Sequence, residues 1–227
     1  MEIKGLETEI LKNKFSVSRK IFDLEGGKIK ERSVYVISAK VVSIAEGNYP
    51  QEKGFEKLVK KEGFTLSDEE PFLTIRDKVF LPNSGVDRSN ALKAFSILPK
   101  NPKKSAKRIC ENLKKISGLK KIGIIISDST VFPLRRGVSS VALGAYGFRA
   151  VEDLRGKEDV FGKKMKFSLR NLADMLSAAA ALEMGETNER VPFVRITGAS
   201  LDFDFTEKDL ELEVDFKDCL FASLYSM

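Results

Sequence analysis

The sequence contains no histidine, and this absence excludes several kinds of active site. A Ser-His-Asp or Cys-His nucleophile requires an imidazole base, and a His-ligated zinc site requires imidazole ligands. The two cysteines, Cys110 and Cys219, are too few and too far apart in the chain to form a thiolate metal cage. An enzyme of this composition must therefore work through carboxylates, hydroxyls, lysines, arginines and a metal or cofactor.

Long apolar segments are absent as well. No run approaches the roughly 18 consecutive apolar residues of a membrane-spanning helix. The N-terminal residues MEIKGLETEILKNKF lack the apolar core of a signal peptide. We therefore expect a cytoplasmic protein without a membrane partner, whose cysteines stay reduced and form no disulfide framework.

The composition indicates a globular protein and argues against nucleic-acid binding. At 227 residues, with 42% hydrophobic and 32% charged residues, the chain can form a real core in one large domain or two small ones. The net charge of +6 would suit an anionic partner, but 33 acidic residues are interleaved with the basic ones. The densest basic cluster, Lys100–Lys115, fits the solvent-facing side of a helix. A basic nucleic-acid-binding protein, whose affinity would fall steeply with salt, therefore ranks last among the candidate functions.

The stretch Ile122–Gly137, IGIIISDSTVFPLRRG, is the one around which the chain is organised. Its isoleucines are typical of a strand buried on both faces. It then passes through the polar residues Ser127–Thr130 to the pair Arg135 and Arg136. Carboxylate and hydroxyl oxygens beside two guanidinium groups suit a divalent metal that carries phosphates. A plain turn, in which Asp128 is only a cap and the arginines face water, explains the pattern equally well.

Two more polar positions follow predicted strands. Lys40 comes shortly after the predicted strand Val34–Ile37, where it could reach a phosphate or lie at the surface. Asp87 lies in the loop Pro82–Asn90, among hydroxyl and amide groups, at the end of a predicted hairpin. A second carboxylate thus emerges at a strand end.

Apolar periodicity predicts both helices and strands, which places the chain in the α+β (mixed α/β) class. Residues 1–32 are predicted to form a strand near the start and then a loop. The predicted helices are Lys53–Gly63, a segment opened by Asn101 and Pro102 and ended by Gly118, and Leu169–Met184 capped by Ser168. The other predicted strands are two antiparallel ones within Pro71–Leu81, Phe95–Leu98 and Val191–Ile196.

Three further segments have specific predictions. Cys110 falls on the apolar side of its helix, so we expect a core residue and not a nucleophile. The small, glycine-containing residues SSVALGAYGF are predicted to lie close to other backbone. The alternation over Leu201–Phe216 predicts edge strands appended to a single domain over residues 1–227.

Seven motifs in order, from about Arg32 to about Gly198, resemble the coenzyme F-420 gamma-glutamyl ligase family, which adds L-glutamate to the deazaflavin precursor F-420-0. Each motif alone is weak, but the ordered set is specific. The motifs are VVSIAEG (41–47), SGVDRSN (84–90), LPKNP before a helix, ISDSTVFPLRRG (126–137), VALGAYGF (141–148), LRGKEDVFGKK (154–164) and ADMLSAAAALEMGE (173–186).

The resemblance implies roles for individual residues. The divalent-metal ligands of the family fall on Asp87, Asp128 and Ser129, where serine keeps the hydroxyl of the usual threonine. The nucleotide contacts of the family fall on Asn90 and, near the triphosphate, on Ala39 and Lys40.

The resemblance also bears on two arginines and on one position where this sequence differs from the family. We expect Arg135 and Arg136 to clamp phosphate or the anionic glutamate, with an ion pair from one of them to Glu152 or Asp153 as the alternative. The lysine that the family usually has before AEG is Ile44 here, and Lys40 is the candidate to compensate for it.

The resemblance also implies a fold and a reaction. The fold is a gamma-glutamyl ligase-like one, with mixed and antiparallel sheets flanked by helices, in an intertwined homodimer with the site near the subunit interface. The expected enzyme uses Mg²⁺ or Mn²⁺ and GTP or ATP to join L-glutamate to an acceptor carboxylate through an acyl phosphate. PLRRG, VALG and the acidic C-terminal segment resemble the branch assigned to folate, so a folate-like acceptor is slightly favoured over F-420-0. The alternative is a paralogue that binds nucleotide or pterin without ligation, which Ile44 and Ser129 motivate.

Overall fold

The structure, a computed structural model, describes residues 1–50, 54–91 and 95–224. The strands are β1 (Glu2–Leu6), β2 (Ser33–Ser38), β3 (Phe64–Thr65), β4 (Leu73–Arg76), β5 (Val79–Pro82), β6 (Ile122–Thr130), β7 (Ser139–Tyr146), β8 (Val151–Asp153), β9 (Leu169–Asn171) and β10 (Phe193–Thr197). The α-helices are α1 (Val17–Leu24), α2 (Ala39–Glu46), α3 (Phe55–Glu62), α4 (Pro102–Ser117) and α5 (Leu172–Met184). Short 3₁₀ helices cover Asn83–Gly85, Glu207–Leu210, Phe216–Asp218 and Ala222–Leu224.

The main sheet has five strands in the order β1-β10-β2-β6-β7. Strands β2 and β6 run parallel, and the other neighbours are antiparallel. Helices α1, α2 and α4 cover one face, where Ile124 and Ile126 of β6 point, while α5 covers the face that receives Ile125. The prediction that this strand is buried on both faces is confirmed, and the mixed helix and strand content agrees with the predicted class.

Helix α4 was predicted well because its two ends are set by residues next to them in the sequence. Helix α4 begins after Asn101, whose side chain accepts a hydrogen bond of 2.9 Å from the N–H of Lys104, and it ends at Gly118 with φ of 74°. Cys110 is fully buried on this helix, and burial raises the pKa of its thiol to about 11. The core role predicted for Cys110 is therefore confirmed.

Two smaller sheets flank the main one. The antiparallel sheet β3-β4-β5 confirms the two strands predicted within Pro71–Leu81, and the short pair β8-β9 lies beyond β7. Helix α3 packs by the three-stranded sheet and confirms the predicted helix up to Gly63, whereas the predicted start at Lys53 lies outside the described residues.

Two predictions about the chain before α4 were wrong. The predicted loop before residue 32 contains α1, which starts at the Ser16 cap and buries Val17 and Ile21 in the core. The predicted strand Phe95–Leu98 is reduced to one isolated bridge, between Ser96 and Asp87.

Helix α5 starts later than predicted. Ser168 does not cap it, because residues Leu169–Asn171 pair with β8 as a strand. The cap is Asn171, whose side chain accepts the N–H of Asp174 at 3.0 Å.

The edge strands predicted over Leu201–Phe216 are wrong, since no strand is assigned within this part of the described chain. Thr206 and Asp209 form a capping box that starts a 3₁₀ turn, and this turn interrupts the alternation. The segment places Leu201 and Phe203 in the core and makes single backbone hydrogen bonds, such as that from the Arg149 N–H to the Asp202 carbonyl at 2.7 Å, without forming a strand ladder.

Acidic side chains of the same C-terminal segment pair with basic side chains of the body. Lys107 and Lys103 of α4 form ion pairs with Glu207 and Glu213, with N–O distances of 2.7 and 2.5 Å respectively. Part of the basic face predicted for this helix is thus covered by acidic residues, which fits the low rank given to nucleic-acid binding.

No helix within the described ranges is long and apolar enough to span a bilayer.

The segment SSVALGAYGF (139–148) lies against backbone, as its small residues predicted. A Cβ built on Gly144 of β7 would come 2.6 Å from the carbonyl carbon of Pro102 and 2.7 Å from the nitrogen of Lys103, both in the first turn of α4. Only glycine lets the strand and the helix approach so closely.

We expect Gly144→Ala to lower the free energy of unfolding by about 1–3 kcal/mol, because the added methyl group must displace the backbone of α4. Urea unfolding followed by circular dichroism measures the effect. The matched control is Gly54→Ala, since a Cβ there meets nothing nearer than 3.7 Å. Equal stability of the two variants would contradict the close approach of α4 and β7.

Candidate active site

The carboxyl ends of β2 and β6 lie side by side at one edge of the main sheet, where Ser38 pairs with Ser127. Strand β2 leads directly into α2, whose first turn carries Lys40. Strand β6 continues to Asp128 and Ser129. Ligands of open α/β sheets commonly bind outside the carboxyl ends of parallel strands. This edge is therefore the place to look for a site.

A register shift in the sheet precedes the polar end of β6. The pairing of β6 with β7 shifts between Ile126 and Ser127, and the side chains that follow are re-aimed by such irregularities. Beyond the shift, Asp128 is partly buried, and the hydroxyl of Ser129 donates to Glu186 Oε1 at 2.9 Å.

The three-stranded sheet brings Asp87 to the same edge. The hydroxyl of Thr130, the last residue of β6, donates to the carbonyl of Phe80 in β5 at 2.6 Å. After β5 the chain turns through the buried Ser84, whose φ is 55°, and reaches Asp87. The position of Asp87 thus depends on the docking of one sheet onto the end of another.

Lys40 and Ser89 hold the carboxylate of Asp87. The Lys40 ammonium donates to Asp87 Oδ2 and lies 3.3 Å from the Ser89 hydroxyl. The N–H of Ser89 donates to Oδ1 and its hydroxyl donates to Oδ2, both at 2.7 Å. Burial raises the pKa of Asp87, but the hydrogen bonds from Lys40 and Ser89 outweigh burial, so the pKa lies below its ordinary value. The carboxylate is therefore charged and fixed in orientation.

Asp128 lies in the field of several charges. Burial raises the pKa of its carboxyl to about 7. The Lys40 ammonium and the N–H of Ser129 oppose this shift, whereas the negative charges of Asp87 and Glu186 add to it. The charges of Asp87 and Glu186 thus act on Asp128, with the Lys40 ammonium nearby. We call Asp87, Asp128 and Glu186 the acidic cluster, and its negative charge favours a bound cation.

Glu186 and Ser89 are site residues that the sequence analysis missed. Glu186 follows Gly185, the residue that ends α5, and is the last letter of the motif ADMLSAAAALEMGE. An acidic residue directly after a helix stop was the available signal. Ser89 carried a similar signal, as a hydroxyl two residues after Asp87.

The predicted nucleotide-binding residues lie at this edge in different settings. Asn90 is exposed, and its side-chain amide donates to the carbonyl of Thr187, next to Glu186, at 2.9 Å. Ala39 is fully buried in the core, so it can offer a ligand only its backbone. Ser38, which precedes α2, makes no capping hydrogen bond through its side chain.

Arg135 and Arg136 are not gathered into the cluster. Both are exposed in the loop that joins β6 to β7. The alternative ion pair with Glu152 or Asp153 is not formed, since the partners of those two carboxylates are the basic residues Lys157, Arg170 and Arg155. Neither guanidinium group has an ion-pair partner among the residues that the structure describes.

The acidic cluster fits a hard divalent cation by the type of its donors. Across residues 1–50, 54–91 and 95–224, no three acidic or cysteine side chains are close enough to hold a metal by themselves. Mg²⁺ commonly takes only one or two carboxylates and fills its remaining positions with water and substrate phosphates. Oxygen atoms of Asp87 and Asp128, with the Ser129 hydroxyl, suit a metal that arrives with phosphates.

A cavity of about 450 Å³ lies at the other end of α2, lined by Glu46 and Gly47 among others. Glu46 is already bound there, to the Ser105 hydroxyl at 2.5 Å and to Arg108. The last residues of the VVSIAEG motif therefore face away from the acidic cluster, and only the start of α2 borders it.

Comparison with known proteins identifies the family of the chain. The sequence model of the family described as F420-0:Gamma-glutamyl ligase matches residues 55–198. A coenzyme F420:L-glutamate ligase of Methanocaldococcus jannaschii is 35% identical over 185 residues, which cover 81% of this chain and 74% of that protein. A protein of the same name from Methanosarcina mazei is 30% identical over 211 residues, covering 83% and 82%.

A third relative of that name, from Methanococcus maripaludis, is 43% identical over 129 residues. The match covers 56% of this chain and 52% of the relative, so the chain spans about half of that protein. The family match covers more than half of the chain, and the two longer alignments extend over most of both partners. The chain belongs to the F420-0:gamma-glutamyl ligase family.

Proposed function

We propose that the protein is a gamma-glutamyl ligase, which forms an amide between an acceptor carboxylate and the amine of L-glutamate and uses GTP or ATP. The observation that carries the proposal is the meeting of Asp87, from the small sheet, with Asp128, from β6, around the ammonium of Lys40. The names of the relatives support the same reaction class.

The acceptor is a carboxylate on either of two frameworks. The relatives are named for coenzyme F420, which supports F-420-0 as the acceptor. The PLRRG and VALG sub-pattern supports a folate-like acceptor instead. Both acceptors present a carboxylate that must be activated, so the site chemistry is the same and only the acceptor pocket would differ.

Mg²⁺ or Mn²⁺ would be held by Asp87, Asp128 and Ser129, while Glu186 would accept the hydrogen bond that orients the Ser129 hydroxyl. Bound there, the metal would neutralise charge on the phosphates of the nucleotide. The N-terminus of α2 would offer the backbone N–H groups of Ala39 and Lys40 to the same phosphates, because helix N-termini favour anions. Asn90, on the rim, would contact the nucleotide.

The reaction proceeds in two steps and needs no protein nucleophile. The acceptor carboxylate attacks the terminal phosphorus, so a C–O–P linkage forms and the nucleoside diphosphate leaves. The amine of glutamate then attacks the acyl carbon of this acyl phosphate, and inorganic phosphate and a proton leave as the amide forms. Positioning and charge neutralisation supply the catalysis, which agrees with a chain without histidine.

Arg135 and Arg136 are proposed to clamp a phosphate or the carboxylates of the incoming glutamate. Their support is that both guanidinium groups lie exposed on a loop that follows Asp128 and Ser129 directly, and that neither has an ion-pair partner within the described residues. A loop of this kind can close over an anionic substrate after it binds.

A non-catalytic paralogue that binds nucleotide or pterin is the alternative. Ile44 and Ser129 motivated it, but the Ser129 hydroxyl points into the cluster and bonds Glu186, which supports a working metal ligand. Release of phosphate from GTP or ATP in the presence of glutamate and each acceptor separates the two, because a binder saturates without turnover.

We also propose a homodimer. The support is the apolar surface of the hairpin that leads from β8 to β9, where Val160 is 93% and Phe161 is 85% exposed. Large exposed apolar patches commonly mark interfaces between proteins.

For the proposed ligase, Asp128→Asn should lower the turnover number by about a hundredfold or more while the protein stays folded, because a charge-stabilising group is lost. Mass spectrometry of products from F-420-0 and folate acceptors, incubated with glutamate, Mn²⁺ and GTP or ATP, measures the activity. Asp204→Asn, at the opposite end of β6, is the matched control and should keep full activity. Wild-type activity in Asp128→Asn would contradict the assignment.

The acidic cluster should also make the metal-free protein sensitive to pH. Burial raises the folded-state pKa of Asp128 from its ordinary value to about 7, so the cost of ionising Asp128 in the folded state develops as the pH rises toward that pKa. The melting temperature of Asp128→Asn minus that of wild type should therefore increase from roughly pH 5 to pH 8. A difference that stays constant over this range would show that Asp128 is not in such an environment.

For the proposed dimer, Phe161→Glu should shift sedimentation equilibrium toward the monomer, because a charge would be placed in an apolar contact. Leu220→Glu is the matched control, as Leu220 is equally exposed but lies on the C-terminal segment. A wild type that sediments as a monomer would refute the dimer.

A further inference from the structure

Both carboxylate oxygens of Asp87 are occupied by groups of the same protein. Asp87 Oδ1 accepts the N–H of Ser89, and Oδ2 accepts both the Ser89 hydroxyl and the Lys40 ammonium. The same ammonium is close enough to Asp128 to oppose the rise of its pKa. Lys40 thus contacts Asp87 directly and acts electrostatically on Asp128, so a cation bound by both carboxylates would compete with its ammonium for Asp87 Oδ2.

The bond between Lys40 and Asp87 can be given up easily. The Lys40 side chain is 25% exposed and that of Asp87 is 39% exposed. Ion pairs with this much solvent access add little to stability. The ammonium also sits on a flexible four-carbon stem, so it can move to a new partner without movement of α2.

A phosphate group has a reason to attract this ammonium. Lys40 belongs to the first turn of α2, where the helix dipole and free N–H groups favour an anion. Ser38, just before that turn, does not use its hydroxyl to cap those N–H groups. A phosphate bound there would lie within reach of the Lys40 stem and would compete with Asp87 for the ammonium.

Resting on the proposed function, we propose that Lys40 is a positioning residue that couples metal binding to phosphate binding. Without nucleotide, the Lys40 ammonium and a divalent cation compete for Asp87 Oδ2. The phosphates of a bound nucleotide draw the ammonium away, and Asp87 Oδ2 becomes free for the metal. By linkage, the metal raises the affinity for nucleotide by the same factor.

The coupling protects the site from two unproductive states. A metal bound without nucleotide is disfavoured because it must displace the ammonium. A nucleotide bound without metal leaves Asp87 charged, without a cation partner, next to Asp128 and Glu186. Both ligands together satisfy every charge, so the loaded site forms in preference to either half-loaded one.

The test is Lys40→Met, with Mn²⁺ binding measured by electron paramagnetic resonance in the absence of nucleotide. We expect Mn²⁺ alone to bind this variant more tightly than wild type, by about threefold or more, because its competitor is gone. GTP and ATP, measured in EDTA by equilibrium dialysis, should bind the variant more weakly by a similar factor. Nucleotide should therefore increase the Mn²⁺ affinity of the variant less than it increases that of wild type. Complexes of Mn²⁺ with free nucleotide form equally in both measurements, so they do not affect this comparison.

Two further variants test whether the effects of Lys40→Met come from the position of Lys40 and not from the loss of any positive charge or of the fold. Lys121→Met removes a lysine that pairs with Asp204 at the opposite end of β6, and it should match wild type in both assays. Lys40→Arg keeps a positive charge beside Asp87, so Mn²⁺ without nucleotide should bind this variant as weakly as it binds wild type. Melting curves of all variants should stay close to that of wild type.

The outcomes distinguish this inference from the proposed function. If nucleotide and Mn²⁺ bind wild type together, Asp128→Asn loses Mn²⁺, and Lys40→Met binds Mn²⁺ alone no more tightly than wild type, the coupling role is overturned and the ligase proposal stands. If wild type binds no Mn²⁺ even with GTP or ATP, both are overturned. Tighter Mn²⁺ and weaker nucleotide binding in Lys40→Met alone support the coupling.

Discussion

Burial of the Asp128 carboxyl at the end of the main sheet, near the charges of Asp87 and Glu186, is the constraint on which the site depends. Asp128 is raised to a pKa of about 7 by burial first and then by the charges of Asp87 and Glu186. The Lys40 ammonium and the N–H of Ser129 oppose the rise of the Asp128 pKa, and Ser89 holds Asp87 in place. A partly buried carboxyl near other acidic groups is suited to take part in binding a cation when an anionic substrate arrives.

Close packing between helices and strands fixes the positions of these side chains relative to one another. The contact of Gly144 with the first turn of α4 fixes β7 against the helix, and the hydrogen bond from Thr130 to Phe80 ties the small sheet to β6. Asp87 follows the small sheet and Asp128 belongs to the main one, so their separation is set by that docking and not by the local chain. The C-terminal segment contributes through side chains, since Leu201 and Phe203 complete the core on the α5 face.

Sequence patterns predicted the parts of the fold that local chemistry controls. The isoleucines of β6, the Asn101 cap and the Gly118 end of α4 are each set by neighbouring residues, and each is found in the structure. Where a local pattern competed with tertiary contacts, the prediction was wrong. The alternation over Leu201–Phe216 was interrupted by a capping box, and Leu169–Asn171 paired with β8 instead of joining α5.

For the site, the sequence by itself determined the chemistry, because it supplies acidic, hydroxyl and basic side chains at strand ends and offers no histidine. It also pointed to Asp87, Asp128, Ser129 and Lys40, since polar residues that follow apolar strands emerge at a sheet edge. Only the tertiary structure decided that Glu186 joins them, that Lys40 rests on Asp87, and that Arg135 and Arg136 stay apart. The physical reason is that distances between residues remote in sequence follow from how sheets and helices dock, and no local pattern encodes those distances.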